Sequence, residues 1–110
     1  MKSEMMKGYI DAIILSIIAG HDSYGYEIAQ IVNHQTGGAL ELKEGTLYPA
    51  LRRLEAEHWI EGYWGDDGSG PRRRYYRITT QGHDQLAKNR EAWKRNQAIV
   101  NTFLGGVEPT

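Results

Sequence analysis

Residues 44–79 read EGTLYPALRRLEAEHWIEGYWGDDGSGPRRRYYRIT, and the change of period inside this stretch decides the fold. Leu47, Leu51 and Leu54 stand at i, i+4 and i+7, the spacing of one buried helix face. The helix is expected over Glu44 to His58. Pro49 has no N–H to donate, so regular helix should begin shortly before it, with Thr46 a plausible cap. The composition then turns aromatic and β-branched, predicting strands at Ile60–Trp64 and Arg74–Thr79. Residues 65–71 are all turn formers, so the two strands join as a hairpin.

Working outward, the segment from Glu4 to Ala19 carries Met5, Met6, Tyr9, Ile10 and a run of isoleucines. Its apolar stripe covers most of a helix circumference, more than a small monomer can bury, which already calls for a partner chain. Asp22 or Ser23 is placed to cap a second helix reaching Thr36 before Gly37 and Gly38, with Ile28, Ile31 and Val32 as its inner face. Ala39 to Lys43 alternates weakly, as a short strand does. Downstream, Thr79 or Thr80 should cap a long last helix ending near Leu104. Leu86, Trp93 and Val100 recur every seven residues along it, with Asn89, Asn96 and Phe103 interleaved. The asparagines either set the register of a helix–helix contact or line a space that is not fully packed.

The chain has 110 residues and no cysteine, a single-domain length without disulfide or thiolate chemistry, which fits a reducing cytosol. Its longest apolar run, Ala12 to Ala19, falls short of the roughly 20 residues that span a bilayer, and the N-terminus lacks the pattern of a signal peptide. A net charge of −1 argues against a nucleic-acid binder only if the charges are evenly spread. They are not. Arg72, Arg73, Arg74 and Arg77 fall together with no acid among them. The four histidines are isolated and none has metal-ligand spacing; no catalytic constellation, metal site or cofactor motif is present.

A duplex-DNA reader needs a helix whose inner face is anchored and whose outer face is free for the major groove. Opposite the leucine stripe lie Thr46, Pro49, Arg52, Arg53 and Ala56, with Tyr48 at the edge and Lys43 just before the helix. The hairpin supplies Gly70 in its tip and Arg72, Arg73 and Arg74 at its base, with alternation sending Arg73 and Arg74 to opposite faces. Either element alone is also what a solvated helix or a charged hairpin would show. Two cationic elements flanking one anchored helix favour DNA. The competing reading from another class is a winged-helix module used only for protein–protein contact.

Three motifs in order carry a family resemblance: Tyr24-Gly-Tyr-Glu-Ile28, residues 44–55, and Arg73-Arg-Tyr-Tyr-Arg-Ile-Thr79 with Gly82 beyond it. Over about residues 5 to 104 the chain resembles PadR-type transcription regulators. The resemblance implies a homodimeric, cytoplasmic winged helix, usually a repressor of detoxification, phenolic-acid or drug-efflux genes. The single short C-terminal helix looks like the compact branch of the family, which includes the lactococcal multidrug-resistance regulator. By that likeness Trp93 would face a planar aromatic effector at the dimer centre, with Ser16, Leu86 and Gln97 around it, while helical spacing puts Asn89, Asn96 and Gln97 in a polar rim about the ring. Plain packing at an interface is the alternative for Trp93.

The resulting expectation is a mainly α (α+β) winged helix-turn-helix in one domain, 1–110. An N-terminal dimerisation helix occupies 4–19, the winged unit 22–78 and a C-terminal dimerisation helix 79–104. The expected partners are a pseudo-palindromic DNA operator, a second copy and a small aromatic effector, with no membrane.

Overall fold

The computed structural model describes residues 8–65 and 70–106. Helix α1 (Ile10–Gly20) leads through a two-residue strand β1 (Ser23–Tyr24) into α2 (Gly25–Gln35). Then come α3 (Glu44–Ala56), β2 (Ile60–Gly65), β3 (Arg73–Ile78) and the long α4 (Thr80–Leu104). The expected start of the first helix at Glu4, with Met5 and Met6, lies outside the described residues, as do positions 66–69 of the hairpin tip. This is a mainly helical winged helix-turn-helix.

The core is assembled where three helices meet one face of the sheet. Ile14, Leu15 and Ile18 of α1 pack with Ile28 and Val32 of α2 and with Leu47, Ala50, Leu51 and Leu54 of α3. Ile60, Tyr76 and, from α4, Leu86 close it. The leucine stripe therefore anchors α3 as its spacing requires.

The antiparallel sheet runs β1-β3-β2, with Ile60↔Ile78 through Gly65↔Arg73 in the hairpin and Ser23↔Tyr76 and Tyr24↔Tyr75 on the other edge. Here two expectations are corrected. Ser23 caps no helix: it is fully buried, and its hydroxyl turns back to the His21 carbonyl at 3.0 Å while its backbone joins β3. Residues 39–43 are not a strand. Their alternation is real, since Leu40 and Leu42 are buried, but it serves to plug the core. The Leu40 N–H is satisfied by the Thr36 hydroxyl at 3.1 Å rather than by a neighbouring strand.

The ends of α3 also differ from expectation. Lys43, not Thr46, occupies the N-cap, and its carbonyl accepts from Thr46 N at 2.9 Å and Leu47 N at 2.8 Å. Thr46 is thereby drawn into the first turn. At the other end His58 lies beyond the helix with φ +63°. Its N–H reaches Glu55 O and the Trp59 N–H reaches Leu54 O, both at 3.0 Å, the paired bonds of a Schellman closure.

Helix α4 begins as predicted, the Thr79 hydroxyl accepting Gly82 N–H at 2.9 Å. Past Leu86 it has no buried residue, and the molecule is drawn out to 60 × 29 × 21 Å.

Candidate nucleic-acid interface

Helix α3 is tied on both flanks and open between them. On the α1 flank the Arg53 guanidinium forms a two-point pair with Asp11, Nη2 to Oδ1 at 2.8 Å and Nε to Oδ2 at 3.2 Å. The Asp11 carboxylate raises the Arg53 pKa further, so the group stays charged. On the wing flank Glu55 accepts from Arg74 Nη2 at 3.0 Å and from Gly62 N–H at 3.3 Å. Between these ties, about 100° per residue brings Gly45, Pro49, Arg52 and Ala56 onto the outward ridge. Arg52 is exposed and, among the described residues, makes no ion pair.

Tyr48 leans toward the wing. It lies against Gly25 at the start of α2, where an added Cβ would stand 2.8 Å from the Tyr48 hydroxyl, so only glycine admits the ring. Tyr48 and Gly25 line one recess with Tyr24, Tyr26, Arg73, Arg74 and Tyr76. Arg73 and Arg74 leave opposite faces of β3. Both border this recess because β1 stops at Tyr24 and leaves that edge of β3 open.

The wing's cations are organised by aromatic rings. Arg72 and Arg74 lie 5.5 and 5.7 Å from the exposed Trp64 ring, and Arg73 lies 4.7 Å from Tyr24. On the outer face Tyr75 meets Tyr24 edge-on at 5.3 Å and stacks on Tyr63 at 5.7 Å. Arg77 completes that face, 5.0 Å from Tyr63 and paired with Glu61 at 3.2 Å. The Tyr63 hydroxyl donates to Asp22, a bond that, together with some desolvation, holds the phenol pKa above its ordinary value. Gly70 is exposed at the described edge of the tip.

An anchored helix beside a cationic hairpin is geometry that several protein classes share, and comparison with known proteins separates them. Residues 14–88 match the transcriptional regulator PadR-like family. The chain belongs to that family. A PadR-like chain of this size recurs with little change in length. A Lysinibacillus sphaericus protein is 39% identical over 108 residues, covering 98% of this chain and 99% of its own. The transcriptional regulator YqjI of Escherichia coli is 30% identical over 84 residues, 76% of this chain but only 39% of that longer protein. Among solved structures, a transcriptional regulator from Clostridium thermocellum superposes with TM-score 0.85 at 39% identity, over 92% of this chain and 98% of that one. A PadR-like regulator from Bacillus cereus gives 0.81 at 36%, over 94% and 99%. The family is one of DNA-binding transcriptional regulators, not of enzymes, and no described helix is long and apolar enough to cross a membrane.

The PadR-like chain has a second concavity, of about 350 Å³, between α1 and α4. Tyr9, Ala12, Ile13, Ser16, Asn89, Arg90 and Trp93 line it. Three residues expected around an effector, Ser16, Asn89 and Trp93, are thus brought together, with Trp93 46% exposed. Two are not. Leu86 is buried in the core, and Gln97 is an exposed residue one turn beyond the lining. Asn89 is held by Gln85 at 2.8 Å. Tyr9, Ala12, Ile13 and Arg90 also line the concavity and were not expected; the first three come from α1 and its N-cap, which the spacing of α4 does not report. Similarly, Tyr24 and Tyr26 stand in a quoted motif, but no period in the sequence ties them to Tyr48.

Proposed function

We propose that the chain acts as a homodimeric, sequence-specific repressor whose α3 enters the major groove while the wing bears on the adjacent backbone. The observation that carries this reading is the shared recess. Tyr48 of the helix and Arg73 of the wing border the same recess, which supports a single duplex meeting both elements. Arg52, Pro49 and Thr46 are assigned to the groove. Lys43, Tyr48, Gly70, Arg72 and Arg73 are assigned to the sugar-phosphate backbone. Arg53 and Arg74, each already joined to an acid, are placed outside the direct contacts. Twofold pairing through α1 and α4 would repeat the constellation about one or two helical turns away, hence a pseudo-palindromic operator. With roughly 6–10 phosphate contacts per dimer, affinity should fall by several orders of magnitude from low to moderate salt.

Selection of duplexes from a random library, followed by fluorescence anisotropy on the winner, tests the reading. Arg52→Ala should lose about 1–3 kcal/mol of specific binding. An unselective, salt-insensitive protein would instead favour the protein–protein module.

The α1–α4 cleft supports a ligand reading belonging to the compact branch: a planar, hydrophobic or aromatic effector against Trp93 that releases DNA. Titration with planar aromatic compounds should quench tryptophan emission in the parent and not in Trp93→Ala. Quenching that survives the substitution places the ligand elsewhere, since Trp59 and Trp64 also emit.

A further inference from the structure

We propose that Glu55 and Arg74 form a latch that sets the angle of the wing against α3, making Arg74 a positioning residue for DNA binding rather than a DNA contact. Three independent pieces of geometry converge on it. Glu55 Oε2 accepts from Arg74 Nη2 at 3.0 Å and from the backbone N–H of Gly62 at 3.3 Å. Gly62 lies in β2, the outer strand of the sheet, and its N–H is one that no neighbouring strand takes up. The helix therefore grips the hairpin through its backbone as well as through a side chain.

Gly62 is the second piece. An added Cβ there would stand 2.6 Å from Arg74 Nη2 and 2.7 Å from Nε, so the guanidinium crosses to Glu55 flat over a residue that must lack a side chain. Third, the other sides of the same guanidinium are occupied. It lies 5.7 Å from the Trp64 ring and borders one recess with Tyr76. A cation held by a carboxylate and an indole is poorly placed to reach for phosphate. It is well placed to keep Arg72, 5.5 Å from the same ring, at a constant distance from the ridge of α3.

This inference rests on the DNA reading, but its sign separates it from simple charge effects. Glu55 is an acid beside a surface assigned to a polyanion. If only Coulomb forces acted, Glu55→Gln would tighten DNA binding, Arg74→Gln would weaken it and Gly62→Ala would do nothing. The latch requires all three to weaken binding, roughly tenfold each, with the double variant Glu55→Gln/Arg74→Gln no worse than either single change. The slope of affinity against salt should match the parent in every case, because no phosphate contact is removed.

Two measurements decide the matter. The first is anisotropy over a salt series, using the duplex that the parent protein selects from a random library. Tighter or unchanged binding by Glu55→Gln overturns the latch, as does a slope reduced by about 0.9 in Arg74→Gln, the mark of a lost phosphate contact. The second, on DNA-free protein, is amide exchange at Gly62. It should accelerate in Glu55→Ala, which removes the accepting oxygen, and exchange at the parent rate overturns the proposal. If the parent selects no duplex, the DNA reading fails by itself while the amide measurement still judges the latch.

Discussion

His58 adopts φ +63°, a left-handed conformation that costs an L-residue roughly 1–2 kcal/mol, so that the chain can turn from α3 into β2. Glycine at this position avoids the clash but loses about 0.5–1 kcal/mol of backbone entropy on folding. His58→Gly is therefore expected to stabilise the protein by about 0.5–1 kcal/mol, visible as a midpoint shift in denaturant titration. Gly82 presents the opposite case. Although it lies inside α4, where alanine is normally favoured, an added Cβ would stand 2.1 Å from the Trp59 carbonyl oxygen and 2.7 Å from Ile78 Cγ1. That carbonyl already accepts Thr79 N–H at 3.0 Å and cannot simply move. Gly82→Ala should destabilise by about 1–3 kcal/mol, and a neutral result in the same titration would show that the α4–β2 junction yields to an added methyl. Tyr63 gives a pH signature. Its pKa is raised in the fold, so its contribution is complete below the unfolded value near 10 and is lost as pH rises through the folded value. The stability advantage of the parent over Tyr63→Phe should accordingly shrink above about pH 10, as read by denaturation across that range.

At the scale of elements, α3 behaves as a beam fixed on both sides. The two arginines at 52 and 53 look equivalent in sequence, yet one faces outward and the other is bound to Asp11, 42 positions away in the chain. Arg52→Ala should thus cost far more DNA affinity than Arg53→Ala. Equal losses in an anisotropy titration would return Arg53 to the contact set. The leucine stripe, the hairpin and the Thr79 cap were legible because each depends on residues within a few positions of one another. The strand at Ser23–Tyr24 was not, since two residues carry no period and become a strand only when β3 lies beside them. For the same reason the buried alternation of Leu40 and Leu42 looked like a strand: a core plug and a pleated edge produce the same two-residue rhythm.

For the whole molecule the decisive feature is the free end of α4. Ile99, Val100, Phe103 and Leu104 are 61, 50, 79 and 80% exposed, and burying what remains exposed would gain roughly 1–2 kcal/mol each. Such a stripe on a projecting helix marks an interaction surface, which the proposed dimer would cover. Sedimentation equilibrium should give a dimer, and Phe103→Glu should shift it toward monomer while weakening DNA binding more than any single phosphate contact does. A parent that sediments as a monomer would remove the twofold operator from the proposed function.

By itself the sequence determined what short-range patterning can encode: a leucine-anchored helix, an arginine-rich hairpin, a capped final helix and their order. Tertiary structure alone decided which cations are available. Charge pairs such as Asp11–Arg53 and Glu55–Arg74 join residues far apart in the chain, and a Coulomb contact leaves no period for sequence to display. The same holds for the recess shared by Tyr24, Tyr48 and Arg73, because it exists only once three elements have packed against a common core.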